Sequence, residues 1–106
     1  MKYKIDFNVL KPEIPFPGIS HKYLDQDNIR VRLVEYSGTM EPHLCEKGHY
    51  GIILEGVMDI DFGSKVIRYE KGDGVFIPSG SEHKHKAIVI SESTKALFIE
   101  ILDPRE

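Results

Sequence analysis

Cysteine occurs once in this chain of 106 residues, so no internal disulfide can form. A stapled secreted scaffold is excluded, and the usage agrees with a reducing cytoplasm. Cations are neither abundant nor clustered: Lys+Arg 14 stands against Asp+Glu 17, a formal net charge of -3. Without a Lys/Arg stripe to displace counterions, nucleic acid is not the expected partner. Long apolar runs are missing too, so no stretch is suited to crossing a bilayer as a helix. The opening residues, MKYKIDFNVLK, carry charges throughout and lack the apolar core of a signal peptide. These absences predict a cytoplasmic protein with neither membrane nor nucleic acid as partner. Helical periodicity is the last thing lacking: no 3.6-residue stripe persists for three turns.

What is present reads as short β segments broken by turn residues. Residues 29–36 (IRVRLVEY), 49–56 (HYGIILEG), 57–62 (VMDIDF), 65–70 (KVIRYE), 72–78 (GDGVFIP), 83–90 (HKHKAIVI) and 95–102 (KALFIEIL) form the series. Gly63-Ser64 marks a hairpin between two of them. Many short strands at regular spacing predict an all-β antiparallel sandwich or barrel. Residues 10–18 (LKPEIPFPG) hold three prolines, which cannot donate to a central ladder. Residues 1–28 therefore read as an N-terminal arm and lead-in, with a polar turn at 24–28, and residues 29–106 as one barrel domain.

Chemistry concentrates in HLCEKGH, where His43, Cys45 and His49 fall within seven positions of a chain with five histidines. On an extended segment His43 and Cys45 share a face. His49 opens the next strand, and the turn in PSGSEHKH delivers His83 to the start of another. These donors could meet in one barrel mouth.

The stretch GDGVFIPSGSEH resembles the second conserved motif of the cupins, a glycine followed by Pro-x-Gly and then a histidine. Gly72, Pro78, Gly80 and His83 fall on it without a gap. GTMEPHLCEKGHYGIILEG is similar to the first cupin motif: counting back from Gly56, His49 takes the glutamate position, Cys45 the second histidine and His43 the first. One residue fewer separates Gly38 from His43 than in the common pattern. The resemblance implies a single jelly-roll β-barrel with an extended N-terminal arm, and one divalent transition metal (Zn, Fe, Ni, Cu, Co or Mn) at His43, His49 and His83, with Cys45 as fourth ligand. The position where an asparagine often follows the last histidine is Ala87 here. A homodimer is the assembly common among cupins and is expected here.

Other side chains read more blandly. His85 shares a face with His83 by alternation and is either cavity-facing or a solvated rim residue. His21 lies outside both motifs. Tyr36, Tyr50, Phe76 and Met58 read as core or barrel lining. Arg30, Arg32 and Arg68 are expected on the outer face, although an inward arginine would hold a carboxylate bidentately. Glu100 breaks an apolar run; it is a candidate general base if it points inward and a strand-blunting charge otherwise.

Three functions compete. The first is a metal-dependent enzyme acting on a small oxygenated molecule such as a sugar, uronate or keto acid. The second is a non-catalytic binder or sensor of a small ligand. The third is a three-histidine iron dioxygenase, disfavoured by a Cys45 ligand that would fill a position oxygen or substrate needs.

Overall fold

The computed structural model describes residues 1–102. Ten strands run through it: β1 Glu13–Phe16, β2 Ile19–Gln26, β3 Ile29–Ser37, β4 Leu44–Cys45, β5 His49–Glu55, β6 Val57–Asp61, β7 Val66–Glu70, β8 Gly74–Ile77, β9 His85–Val89 and β10 Ser93–Ile101. They form a six-stranded sheet ordered β1-β2-β3-β10-β5-β8 and a four-stranded sheet ordered β4-β9-β6-β7. Every pairing is antiparallel. Among the described residues the helical segments are two single 3-10 turns, Phe7–Val9 and Ser81–His83. No helix is long and apolar enough to cross a membrane. The architecture is all-β and antiparallel, as the strand pattern predicts, and has the jelly-roll form that the cupin resemblance implies.

The N-terminal region differs from its reading as an arm. Glu13–Phe16 and Ile19–Gln26 are strands, and β2 pairs with β3 at eight successive positions from Ile19↔Tyr36 to Gln26↔Ile29. A two-residue hairpin turn joins them, with Asp27 and Asn28 both at positive φ (49° and 63°). That geometry matches the right-handed twist of the flanking strands, and Asp and Asn adopt it more readily than most residues. Only the segment before β1 remains arm-like, tied to β2 by paired hydrogen bonds between Lys2 backbone and the Gln26 side chain.

Alternation along the strands divides the interior. Val34 and Tyr36 of β3, Ile53 of β5, Met58 and Ile60 of β6, Val75 and Ile77 of β8, and Ala96 and Phe98 of β10 form one apolar cluster. Burying a large side chain of this kind contributes about 1.5–3 kcal/mol relative to exposing it. The same inward faces continue into polar residues towards one end: Arg30 and Arg32 on β3, His49 on β5, His85 on β9 and Glu100 on β10. Tyr36 and Met58 are core, as expected. Phe76 and Tyr50 are not, because the inward set on β8 and β5 is Val75, Ile77, His49 and Ile53. They stack edge-on outside the barrel, with Phe76 79% exposed.

Candidate metal centre

The two motif loops are stitched together before any donor is placed. The Gly48 N–H donates to Ser79 Oγ at 2.8 Å, and the Gly80 N–H donates to the Glu46 carbonyl at 3.0 Å. The approach needs glycine at position 48: a Cβ there would lie 2.2 Å from the Ile77 carbonyl oxygen and 2.5 Å from Ser79 N. Gly80 turns the chain at φ 134°, in a region favouring glycine. The stitch sets the β4–β5 loop against the segment that leads into β9.

The result is a cavity of about 320 Å³ lined by His43, Cys45, His49, His85, Arg32 and Glu100 among others. One ligand atom each from Cys45, His49 and His85 lies within 4.8 Å of the others. This trio differs from the expected set. Cys45 and His49 are where the motif places them. His43 also lines the cavity, but its ring stacks on Phe16 at 3.9 Å and lies outside the tight trio. His83 neither joins the trio nor lines the cavity. It ends the 3-10 turn Ser81–His83, so strand alternation does not yet apply to it, and β9 begins at His85. His85, only 4% exposed, delivers the inward imidazole instead. Alternation within HKHK was the signal for it, and it could not choose between 83 and 85.

Hydrogen bonds fix both imidazole tautomers. A carbonyl only accepts, so His85 Nδ1–H donates to the His83 carbonyl at 3.0 Å. His49 Nδ1–H donates to Glu100 Oε2 at 2.6 Å. Each ring keeps its other nitrogen, with its lone pair, for the cavity. A histidine that donates one N–H to a carboxylate or carbonyl and offers the other nitrogen is the usual metal-ligand arrangement. Two such imidazoles and a thiol fit a transition metal ion, with sulfur and nitrogen favouring zinc, copper or iron over magnesium or calcium.

Electrostatics favour the ligand forms of His85 and Cys45. Burial pushes the His85 imidazole below its ordinary pKa, keeping it neutral. The hydrogen bond to His49 draws the Cys45 thiol below its usual value against the effect of burial. Burial alone would lower His49, but hydrogen bonds with Cys45 and Glu100 carry it above its ordinary value in the metal-free chain.

Behind His49 lies a charge network that the sequence reading left on the surface. Glu100 is inward and 2% exposed. Its Oε2 accepts from His49 and is ion-paired with Arg32, 2.9 Å from Nη2. Burial would raise this carboxyl, yet the His49 hydrogen bond and the Arg32 charge hold it below the usual carboxylate range. Through this hydrogen bond Glu100 orients the His49 ring. Arg32 is buried, and its Nη1–H donates to His21 Nδ1 at 3.1 Å. The expected outer-face arginine is therefore an inward one, and His21 is its buried partner. Arg68 is outside, paired with Asp59 at 2.8 Å.

A family model for the cupin domain matches residues 30–100. The chain belongs to the cupins. Solved structures bear out the fold. A sugar phosphate isomerase of the cupin superfamily from Silicibacter pomeroyi superposes with a TM-score of 0.73 at 17% identity, covering 95% of this chain and 76% of its own. The polyketide cyclase RemF from Streptomyces resistomycificus gives 0.76 at 21% identity, covering 97% and 81%. KdgF from Halomonas sp. gives 0.71 at 16% identity, covering 90% of each chain. At these identities the likeness shows the shared cupin barrel. No curated protein matches the chain.

Proposed function

We propose that this cupin is a metal-dependent enzyme acting on a small oxygenated molecule, such as a sugar, uronate or keto acid. The observation that carries the reading is the trio Cys45, His49 and His85, with both imidazoles held in the tautomer that offers a lone pair to one point. Bound there, a divalent transition metal supplies a Lewis acid for a carbonyl or hydroxyl oxygen. The chain's own contribution is to hold the donors. Glu100 keeps His49 aligned, the His83 carbonyl keeps His85 aligned, and the stitched loops keep Cys45 facing both. His43 stands at the cavity wall as a fourth donor. The sugar phosphate isomerase and the polyketide cyclase among the structural neighbours support a small organic substrate for a barrel of this shape.

A binder reading is favoured by one specific observation: His43 and Cys45 line the same cavity as His49 and His85. Were all four to ligate a tetrahedral ion, no coordination position would remain for substrate. Cobalt(II) substitution separates the cases. Wild-type protein should take up about one equivalent, with sulfur-to-cobalt charge transfer that disappears in Cys45→Ser. His85→Ala should lose cobalt affinity, and His83→Ala should keep it. Wild-type protein that takes up none of Zn, Fe, Ni, Co, Cu or Mn at neutral pH sinks the metal reading. Oxygen uptake by iron-loaded protein would favour the dioxygenase instead.

A further inference from the structure

The cavity has a second wall whose chemistry the metal site does not use. On β2 and β3 the inward residues near the mouth are His21, Arg30 and Arg32, and all three line the cavity. This wall is rich in donors and short of acceptors. Each guanidinium carries five N–H hydrogens and accepts nothing. Arg30 spends two donor groups on Asp25, at 2.7 and 2.9 Å, and lies over the Tyr23 ring at 3.9 Å. Arg32 has one bond to His21 and an ion pair with Glu100, and its Nε–H finds no acceptor among the described residues. Nε itself is enclosed, so any ligand oxygen would use the remaining Nη hydrogens.

Charge points the same way. Among the described residues Glu100 is the only acid lining the cavity, against Arg30, Arg32 and Lys47. Arg32 cancels Glu100, and Asp25 cancels Arg30 from outside the lining. Lys47 is left over, and a divalent ion against one thiolate would add to the surplus. A buried cation with unmet donors is stabilised by an anion that brings acceptor oxygens, and a planar carboxylate matches a guanidinium edge best. The wall is also near the metal donors: Arg32 and His49 share the single oxygen Glu100 Oε2.

We infer that the β2/β3 wall, built on Arg30 and Arg32, is a carboxylate subsite, so that the ligand is a small hydroxy or keto acid rather than a neutral sugar. This narrows the proposed function and rests on the cavity being its ligand site. The ligand's carboxylate sits on the arginines, and its hydroxyl or carbonyl oxygen faces Cys45, His49 and His85.

Glycolate and its uncharged analogue glycolamide test it, titrated by NMR shift into full-length protein, both chelator-treated and zinc-loaded. Glycolate should bind about tenfold tighter than glycolamide in both states. Arg30→Gln should remove about that factor for glycolate alone while zinc content stays unchanged. Arg32→Lys, which keeps a cation beside Glu100 but loses the planar guanidinium, should lower glycolate affinity by a similar factor and guards against misfolding in a harsher variant. Both variants binding glycolate as wild type does, or wild type failing to prefer glycolate in either state, overturns the subsite. Arginine-dependent glycolate binding in protein that takes up no metal supports the subsite and removes the metal reading, so the two fail separately.

Discussion

Replacing Arg32 by methionine probes the network that aligns His49. Methionine keeps an apolar stem of comparable reach, so the change removes mainly the guanidinium. Glu100 is left as a 2% exposed carboxylate with His49 as its remaining hydrogen-bond partner. Removing one partner of a buried ion pair costs about 3–5 kcal/mol, most of it the penalty on the charge left behind. A domain of this size loses roughly 4–8 °C in Tm per kcal/mol, so the lower bound predicts a fall of about 12–24 °C. The assay is thermal unfolding of metal-free protein followed by circular dichroism at neutral pH. Arg32→Met combined with Glu100→Gln removes both charges and should lose less than the sum of the two single changes, with a coupling of about 1–3 kcal/mol. A single-variant Tm drop under about 4 °C, or a cycle additive within about 0.5 kcal/mol, would show that the pair is not the buried, mutually dependent unit described here.

Two further outcomes follow from the same interior and from the sheet outside it. Glu100 titrates below its ordinary 4.5 in the fold, so its contribution is complete above that value and fades as pH falls through the lowered one. His49 titrates above its ordinary 6.5, so its contribution is complete below 6.5 and fades as pH rises through the raised value. Metal-free protein should therefore gain most from this pair between about 4.5 and 6.5, and Glu100→Gln should flatten both limbs; urea titrations across pH that leave the profile unchanged in the variant would count against it. Outside the barrel, Ile29, Ile52, Phe76, Ile99 and Ile101 expose apolar surface on one face of the six-stranded sheet. We propose that a second copy covers this face: light scattering should give a dimer mass, and Ile99→Lys a monomer, whereas a monomeric wild type refutes the dimer.

Strands from residue 29 onward, apart from the two-residue β4, were legible because each carries an apolar face of period two or a compact apolar run between turn residues. β2 was not. The face it turns inward carries Ile19, His21, Tyr23 and Asp25, with Asp25 exposed, so alternation marks one purely aliphatic position and the strand reads as a surface segment. The same cause hid the network. Arg32 and Glu100 are buried as a pair, and pairing across β3 and β10 is invisible to a reading that treats each charge alone. Two members of the candidate trio, Cys45 and His49, were written in the motif spacing. The rest turned on whether the residue after Gly80 enters β9 at once or after a 3-10 turn. Two residues of backbone conformation exchange one histidine for another, and strand periodicity carries no information about that turn.

The two hydrogen bonds stitching the motif loops also bear on when the site appears during folding. Gly48 and Ser79 lie 31 positions apart, and His49 and Glu100 are separated by 51. Closing such loops is slow compared with forming a local hairpin, because chain entropy is lost before the contact rewards it. The hairpin Val57–Glu70 can form from local contacts while His85 is still far from Cys45 and His49. A metal at this trio would have its ligands complete only after that long closure, unlike one whose ligands are all neighbours along the chain. It would meet a finished barrel, slowing unfolding while leaving the folding rate nearly untouched.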